Sequence, residues 1–220
     1  MTTPFDFLKE RNAGDWRRYC EHRFVRELAE GTLPQAAFQH YLKQDYLFLI
    51  QFARAWGLAV YKSRDLDEIR QGLEALKAIV DVEMQLHVRY CADWGIDESE
   101  LAGLEVSRAT LAYTRYVLDA GMSGDLLDLH VALAPCIIGY GEIANWILRQ
   151  PFTKTAGNPY GAWIEMYAGE EYQALVGSEL QWLNRRLSQV DETRLERLSI
   201  VFRDATRLEA DFWQMALDLA

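Results

Sequence analysis

Proline is scarce, five residues in a chain of 220, and four of the five (Pro4, Pro34, Pro151 and Pro159) stand where helices would begin or end. That scarcity excludes a collagen-like or linker-built chain and predicts long regular elements. Cysteine is scarcer still: Cys20, Cys91 and Cys136 form no C-x-x-C pair. An odd, scattered set in a chain of this kind argues against a disulfide frame or a zinc site and predicts free thiols. Positive charge is in deficit, with 23 Lys and Arg against 33 Asp and Glu and a net charge of −10. Such a surface repels a phosphate backbone, so nucleic acid is an unsuitable partner. No uninterrupted hydrophobic run is present either. Residues 46–61 are broken by Gln51 and Arg54, and residues 126–148 by Asp128, His130, Glu142 and Asn145, so neither is expected to span a membrane. The first ten residues lack the basic start and apolar run of a secretory signal, which predicts a cytoplasmic protein.

Half of the residues are apolar and a quarter charged, enough to bury a sizeable core. Apolar residues recur at helical spacing over residues 12–30, 34–63, 66–94, 98–120, 124–150, 159–187 and 192–218. Asp65 precedes Leu66-Asp-Glu68 as an N-cap, Thr32-Leu-Pro-Gln35 has capping-box spacing, and Asn158-Pro159 places a cap before a proline. No stretch alternates apolar and polar residues as a strand would. The expectation is an all-α bundle of about seven helices in a single domain over residues 1–220, without internal repeats.

Polar residues on apolar stripes carry the chemistry, because burying them unpaired is costly. In the last run Leu198, Phe202, Ala205, Glu209, Phe212 and Ala216 share one face, while Asp204, Arg207, Asp211, Gln214 and Asp218 share the other. Glu209 therefore points inward, either as a structural carboxylate or as an acid/base. Asp45 is placed likewise among Phe38, Tyr41, Leu42, Leu49, Phe52 and Trp56, as an acceptor for buried hydroxyls or as a ligand-binding group. Cys136 follows Pro135, which removes an N–H and loosens the helix, and Gly139 and Gly141 lie just beyond. A thiol in loosened backbone is a better nucleophile candidate than Cys20 or Cys91, which read as packing residues. Glu83 and His87, one turn apart, are expected to bond to each other. Four histidines with no Glu-x-x-His pair among them argue against a metal centre. Among the eleven tyrosines, Tyr113, Tyr140 and Tyr167 fall on or near apolar stripes. With inward carboxylates they could line a pocket for a flat, nitrogen-rich ring.

These residues lie in segments that resemble the thiaminase II (TenA) family, whose fold is heme oxygenase-like. The segments are Gly31-Thr-Leu-Pro-Gln-Ala-Ala-Phe38 with Tyr41-Leu-Lys-Gln-Asp45-Tyr, Glu83-Met-Gln-Leu-His87, Ala112-Tyr113-Thr-Arg-Tyr116, Leu133-Ala-Pro-Cys136-Ile-Ile-Gly-Tyr140, Asn158-Pro-Tyr-Gly-Ala-Trp163-Ile-Glu-Met-Tyr167 and Glu209-Ala-Asp-Phe-Trp213. Cys136 groups the chain with the family's cysteine-containing members. The resemblance implies an aminopyrimidine aminohydrolase acting in thiamin salvage on 4-amino-5-aminomethyl-2-methylpyrimidine, and on thiamin as a second candidate, to give the hydroxymethyl pyrimidine. It implies Cys136 as nucleophile, Glu209 as acid/base, Asp45 as the grip on the aminopyrimidine edge, and Tyr113, Tyr140 and Tyr167 as pocket residues. Phe48 stands where the family has a tyrosine, which keeps a stacking surface and forgoes a hydroxyl contact. The resemblance implies no metal or organic cofactor, and a homotetramer.

Two other readings remain at this point. A non-catalytic pyrimidine-binding or regulatory protein on the same scaffold would have no use for Pro135-Cys136 and an inward Glu209. An oxygen-using relative, whether a heme oxygenase, a quinone-cofactor synthase or a diiron oxidase, would need more suitably spaced histidines.

Overall fold

Helices start where side chains can satisfy the first free N–H groups and stop where carbonyls find other partners. In the computed structural model, which describes residues 3–220, these signals divide the chain into α1 (Pro4–Arg11), α2 (Ala13–Cys20), α3 (Arg23–Glu30), α4 (Gln35–Lys62), α5 (Leu66–Lys77), α6 (Met84–Asp93), α7 (Glu98–Ala102), α8 (Arg108–Ser123), α9 (Leu126–Ala134), α10 (Tyr140–Leu148), α11 (Gly161–Ala168), α12 (Glu170–Leu187) and α13 (Glu192–Asp218). No strand occurs among the described residues. The protein is all-α, as its periodicity predicts.

The differences from that prediction are local and have causes. Thr3 and Asp6 form a capping box that starts α1, a helix the apolar pattern does not announce. Asp65 accepts from the N–H groups of Asp67 and Glu68 at 3.0 and 2.9 Å and caps α5 as expected. The box anticipated at Thr32–Gln35 is replaced: α4 is capped by the backbone of Pro34. Thr32 belongs to the end of α3 instead. Gly31 takes a left-handed φ of 70°, and the N–H groups of Thr32 and Leu33 both turn back to the Glu27 carbonyl. Asn158 does form a cap-like turn, accepting from Tyr160 N–H at 2.9 Å, but α11 begins only at Gly161. The run expected over 159–187 is interrupted where Gly169 becomes extended.

Two compact units are distinguished by their internal contacts. One comprises the chain up to Leu33 together with His130–Gln214. Within it α10 packs on α2, α3 and α11, and α1 packs on α12. Its core is aromatic: Phe202 meets Phe5 edge-on at 5.5 Å and stacks on Trp16 at 5.2 Å. The second unit comprises Pro34–Leu129 and Met215–Ala220. There α4 packs on α5, α6 and α8, burying Phe38, Tyr41, Leu42, Leu49 and Trp56.

Residues 126–148 are long and apolar enough to cross a membrane by length and composition, yet 78% of their most apolar window is buried inside the protein. Their polar residues have protein partners. Asp128 accepts from Asp125 N–H at 2.8 Å. His130 pairs with Glu179 at 2.7 Å and stacks on Trp182. Glu142 receives Lys9 and the Trp16 indole N–H, and Asn145 donates to Gln173. These pairings are those of a buried core helix.

Candidate functional site

Pro135 does loosen its helix. Residues Pro135–Gly139 form one π-helical turn between α9 and α10, the kind of local insertion that a missing N–H promotes and that recurs at functional sites. Its carbonyls are held by side chains from elsewhere in the first unit. Tyr19 donates to Pro135 O at 3.1 Å, and Tyr172 donates to the carbonyls of Cys136 and Ile137 at 3.2 and 3.0 Å. Cys136 sits within this turn, with its Sγ–H directed to Leu133 O at 3.0 Å.

The three cysteines are thereby separated by environment. Cys20 and Cys91 are buried, and Cys136 is partly exposed. Burial, reinforced by the charge of Glu142, holds the Cys20 thiol well above its ordinary range. Burial and the neighbouring charge of Asp45 push Cys91 up to about 12. Both are inert as thiols near neutral pH, in agreement with their reading as packing residues.

Around the turn stands an aromatic wall of the same unit. Tyr140 meets Tyr167 at 4.9 Å, Trp213 at 5.3 Å and Trp163 at 5.8 Å. Tyr172 meets Tyr167 edge-on at 4.8 Å. Glu209 is 1% exposed, inward on α13 as its periodicity indicates. Tyr19 ties the group together: its phenol is held well above the usual value first by burial and then by the charge of Glu209. Glu209 therefore acts on the buried ring that holds the Pro135 carbonyl, next to Cys136.

Gly139 is required for this arrangement. A Cβ there would lie 2.5 Å from Tyr19 Cε1 and 2.8 Å from its hydroxyl, and Tyr19 is fully buried with no room to withdraw. Gly139→Ala is expected to cost about 1–3 kcal/mol from overpacking, read as a fall of several degrees in Tm. It should also lower activity, because Tyr19 holds the Pro135 carbonyl.

The second unit holds the other residues singled out in the sequence. Asp45 is buried on α4, beside Phe48, whose ring stacks on Tyr113 of α8 at 5.2 Å. Burial raises the Asp45 carboxyl to about 7, against the hydrogen bond from Tyr41 that favours its charged form. Glu83 is also raised to about 7, by burial and then by the charge of Asp45. His87 is lowered by burial. The expected bond between Glu83 and His87 gives way to a different arrangement. His87 Nε2 lies 2.9 Å from Leu42 O, and Nδ1 lies 3.5 Å from Asp45 Oδ2. Both ring nitrogens are thus turned toward α4, where a helix carbonyl has a second lone pair to offer.

Gln44 is a further buried polar residue that the apolar pattern does not single out. It donates to Glu105 O at 3.0 Å and accepts from Ser107 N–H and the Thr110 hydroxyl, fixing the start of α8. The candidate site residues thus divide between the units: Cys136, Tyr140, Tyr167 and Glu209 lie in the first, and Asp45, Phe48 and Tyr113 in the second.

Comparison with known proteins gives a consistent set of similarities. Residues 11–219 match the model of the TENA/THI-4/PQQC family. An uncharacterized protein of Haemophilus influenzae is 43% identical over 205 residues, 93% of this chain and 94% of that protein. The aminopyrimidine aminohydrolase of Halalkalibacterium halodurans is 36% identical over 210 residues, 95% of this chain and 93% of its own length. A TenA family transcription regulator from Silicibacter sp. TM1040 superposes with a TM-score of 0.87 at 43% identity, over 97% of this chain and 96% of that one. A Shewanella denitrificans domain with a heme oxygenase-like fold, 13% identical, superposes with a TM-score of 0.76 over 98% of this chain and 92% of its own.

Proposed function

This chain belongs to the TENA/THI-4/PQQC family, and from that premise we propose that it is an aminopyrimidine aminohydrolase of thiamin salvage working through a cysteine adduct. It is a hydrolase with an all-α, heme oxygenase-like fold. The substrate proposed is 4-amino-5-aminomethyl-2-methylpyrimidine, with thiamin as the second candidate. The observation that carries the reading is Cys136: of three cysteines, the partly exposed one lies in a π-helical turn beside an aromatic wall, with a buried glutamate close to Tyr19, which holds the turn's Pro135 carbonyl.

In this reading the Cys136 thiolate adds to the ring carbon next to the one bearing the exocyclic methylene. The electrons released back from the ring expel ammonia from the aminomethyl group, or the thiazole from thiamin. Water then adds to the methylene, the ring returns its electrons, and the thiolate leaves. The net change is water in and the leaving group out. Glu209 moves the protons that the ring and the leaving group require. Tyr140 and Tyr167 supply ring faces near the thiol. Phe48 and Tyr113 supply stacking surface, and Asp45 holds the amidine edge. The ring itself is the electron sink, so the scheme calls for no metal or organic cofactor. We further propose that residues 1–220 act as one functional domain, in a cytoplasmic homotetramer, on a small pyrimidine and without nucleic acid or a membrane.

The description of the Silicibacter relative as a transcription regulator favours the alternative of a non-catalytic pyrimidine-binding or regulatory protein. A net charge of −10 weighs against contact with a phosphate backbone, and a binder has no use for the Cys136 setting. Incubating the purified protein with the aminomethyl pyrimidine, and separately with thiamin, tests the proposal. Formation of 4-amino-5-hydroxymethyl-2-methylpyrimidine from either supports hydrolysis and ranks the substrates. Binding of the pyrimidine without turnover would return the binding reading.

A further inference from the structure

Asp45 is buried, and the partly exposed Glu83 and His87 stand against it, so three titratable groups share a site where burial opposes ionisation of both carboxyls. His87 Nε2 faces the Leu42 carbonyl at 2.9 Å, and a carbonyl can only accept, so Nε2 carries the proton. Burial opposes a second proton on the ring, and a ring whose one proton is on Nε2 presents the Nδ1 lone pair to Asp45 Oδ2 at 3.5 Å. Two lone pairs facing each other repel unless one proton lies between them. Glu83 adds a second carboxyl from the π-helical segment Ala78–Glu83, and its charge and that of Asp45 oppose each other.

The other groups around Asp45 do not offset this. Tyr41, on the same helix, donates a hydrogen bond to it. From α6, Cys91 is itself raised by the charge of Asp45. From α8, Tyr113 lies against Phe48. Lys43, on α4, is committed to Glu100 at 2.9 Å. Among the described interactions α5 contributes no charge that acts on Asp45. The cluster thus favours a shared proton over two full negative charges.

We propose that Asp45 meets the aminopyrimidine as a neutral carboxylic acid, and that His87 and Glu83 are positioning residues that keep its proton in place. This rests on the aminopyrimidine reading above. The chemistry is complementary without net proton transfer. The acid O–H donates to the ring nitrogen beside the amino-bearing carbon, and the acid carbonyl accepts from the exocyclic amine. A carboxylate, acceptor at both oxygens, would leave two lone pairs opposed at the ring nitrogen.

The test is calorimetric affinity for 4-amino-5-hydroxymethyl-2-methylpyrimidine between pH 5.5 and 8.5, in unaltered protein and in Asp45→Asn, Asp45→Ala and Glu83→Gln, each checked for folding by circular dichroism. The ligand's own titration is common to all four, so differences between profiles report the protein. Asparagine mimics the neutral acid, with one donor and one acceptor. Asp45→Asn should bind within about tenfold of the unaltered protein at pH 6 and lose its fall in affinity above pH 7, a fall of about tenfold per unit for a required proton. Asp45→Ala should lose about a hundredfold or more, as one unpaired polar edge and a bidentate contact are forfeited. Glu83→Gln should keep its affinity at pH 6 and move the fall to lower pH, because a neighbouring negative charge is gone. Nitrogen-15 NMR of the ligand-free protein should show His87 as the neutral Nε2–H tautomer near pH 7.

If Asp45→Asn binds as weakly as Asp45→Ala, or if Glu83→Gln superposes on the unaltered profile, the neutral-acid inference fails. An imidazolium at His87 would also overturn it. Failure of the unaltered protein to bind the pyrimidine at any pH is a different result, and overturns the aminopyrimidine reading itself.

Discussion

Cys136→Ser is expected to lower kcat for hydrolysis of the aminomethyl pyrimidine by at least about a thousandfold, the scale on which removal of a covalent nucleophile acts, with little change in affinity for the hydroxymethyl product. The argument is about which property of the thiol is lost. Serine keeps the donor that Sγ–H presents to Leu133 O, and is close enough in size to leave the π-helical turn and its Tyr172 contacts in place. What it lacks is a thiolate soft enough to add to the ring and a leaving group able to depart again. Stability measured by thermal melting should therefore be nearly unchanged while turnover collapses. Cys20→Ser and Cys91→Ser serve as controls of opposite sign: their thiols are buried, so stability should suffer and catalysis in the surviving folded protein should not. Equal loss of activity in all three variants would remove Cys136 from the proposed chemistry.

The parts of this molecule legible in its sequence are those that a 3.6-residue period controls. Glu209 and Asp45 are found because each interrupts an apolar stripe, and both prove buried. Pro135 announces altered backbone because its missing N–H is a local fact. The length of the resulting π-helical turn depends on what can hold the freed carbonyls, and those partners, Tyr19 and Tyr172, lie 116 and about 36 residues away in the chain. No spacing rule links a tyrosine to a distant backbone carbonyl. His87 fails for a related reason. The pattern offers Glu83 as its nearest partner one turn away, whereas the folded chain supplies the Leu42 carbonyl and Asp45 from another helix. Helix breaks behave alike: the start of α1 rests on a local capping box that could have been read from Thr3 and Asp6, while the interruption at Gly169 lies inside a continuous amphipathic pattern. Local competition for backbone hydrogen bonds is visible in sequence, and competition between distant groups is not.

Glu209→Gln carries the second large expected effect, a fall in kcat of about 10²- to 10⁴-fold, the range for loss of a positioned acid or base. Glutamine matches glutamate in volume, so a side chain 1% exposed can be exchanged without a cavity, and the variant keeps the hydrogen-bonding reach of the original. It loses the ability to take a proton and return it. If Glu209 serves the ring and leaving group after Cys136 has added, its contribution exists only where the adduct forms. The two substitutions should then be strongly non-additive: Cys136→Ser with Glu209→Gln should be nearly as active as Cys136→Ser alone, instead of slower by the product of both losses. A purely structural glutamate would behave otherwise, lowering Tm in either background and leaving kcat of the folded fraction intact. Additive losses in the double variant would place the glutamate outside the proton transfers.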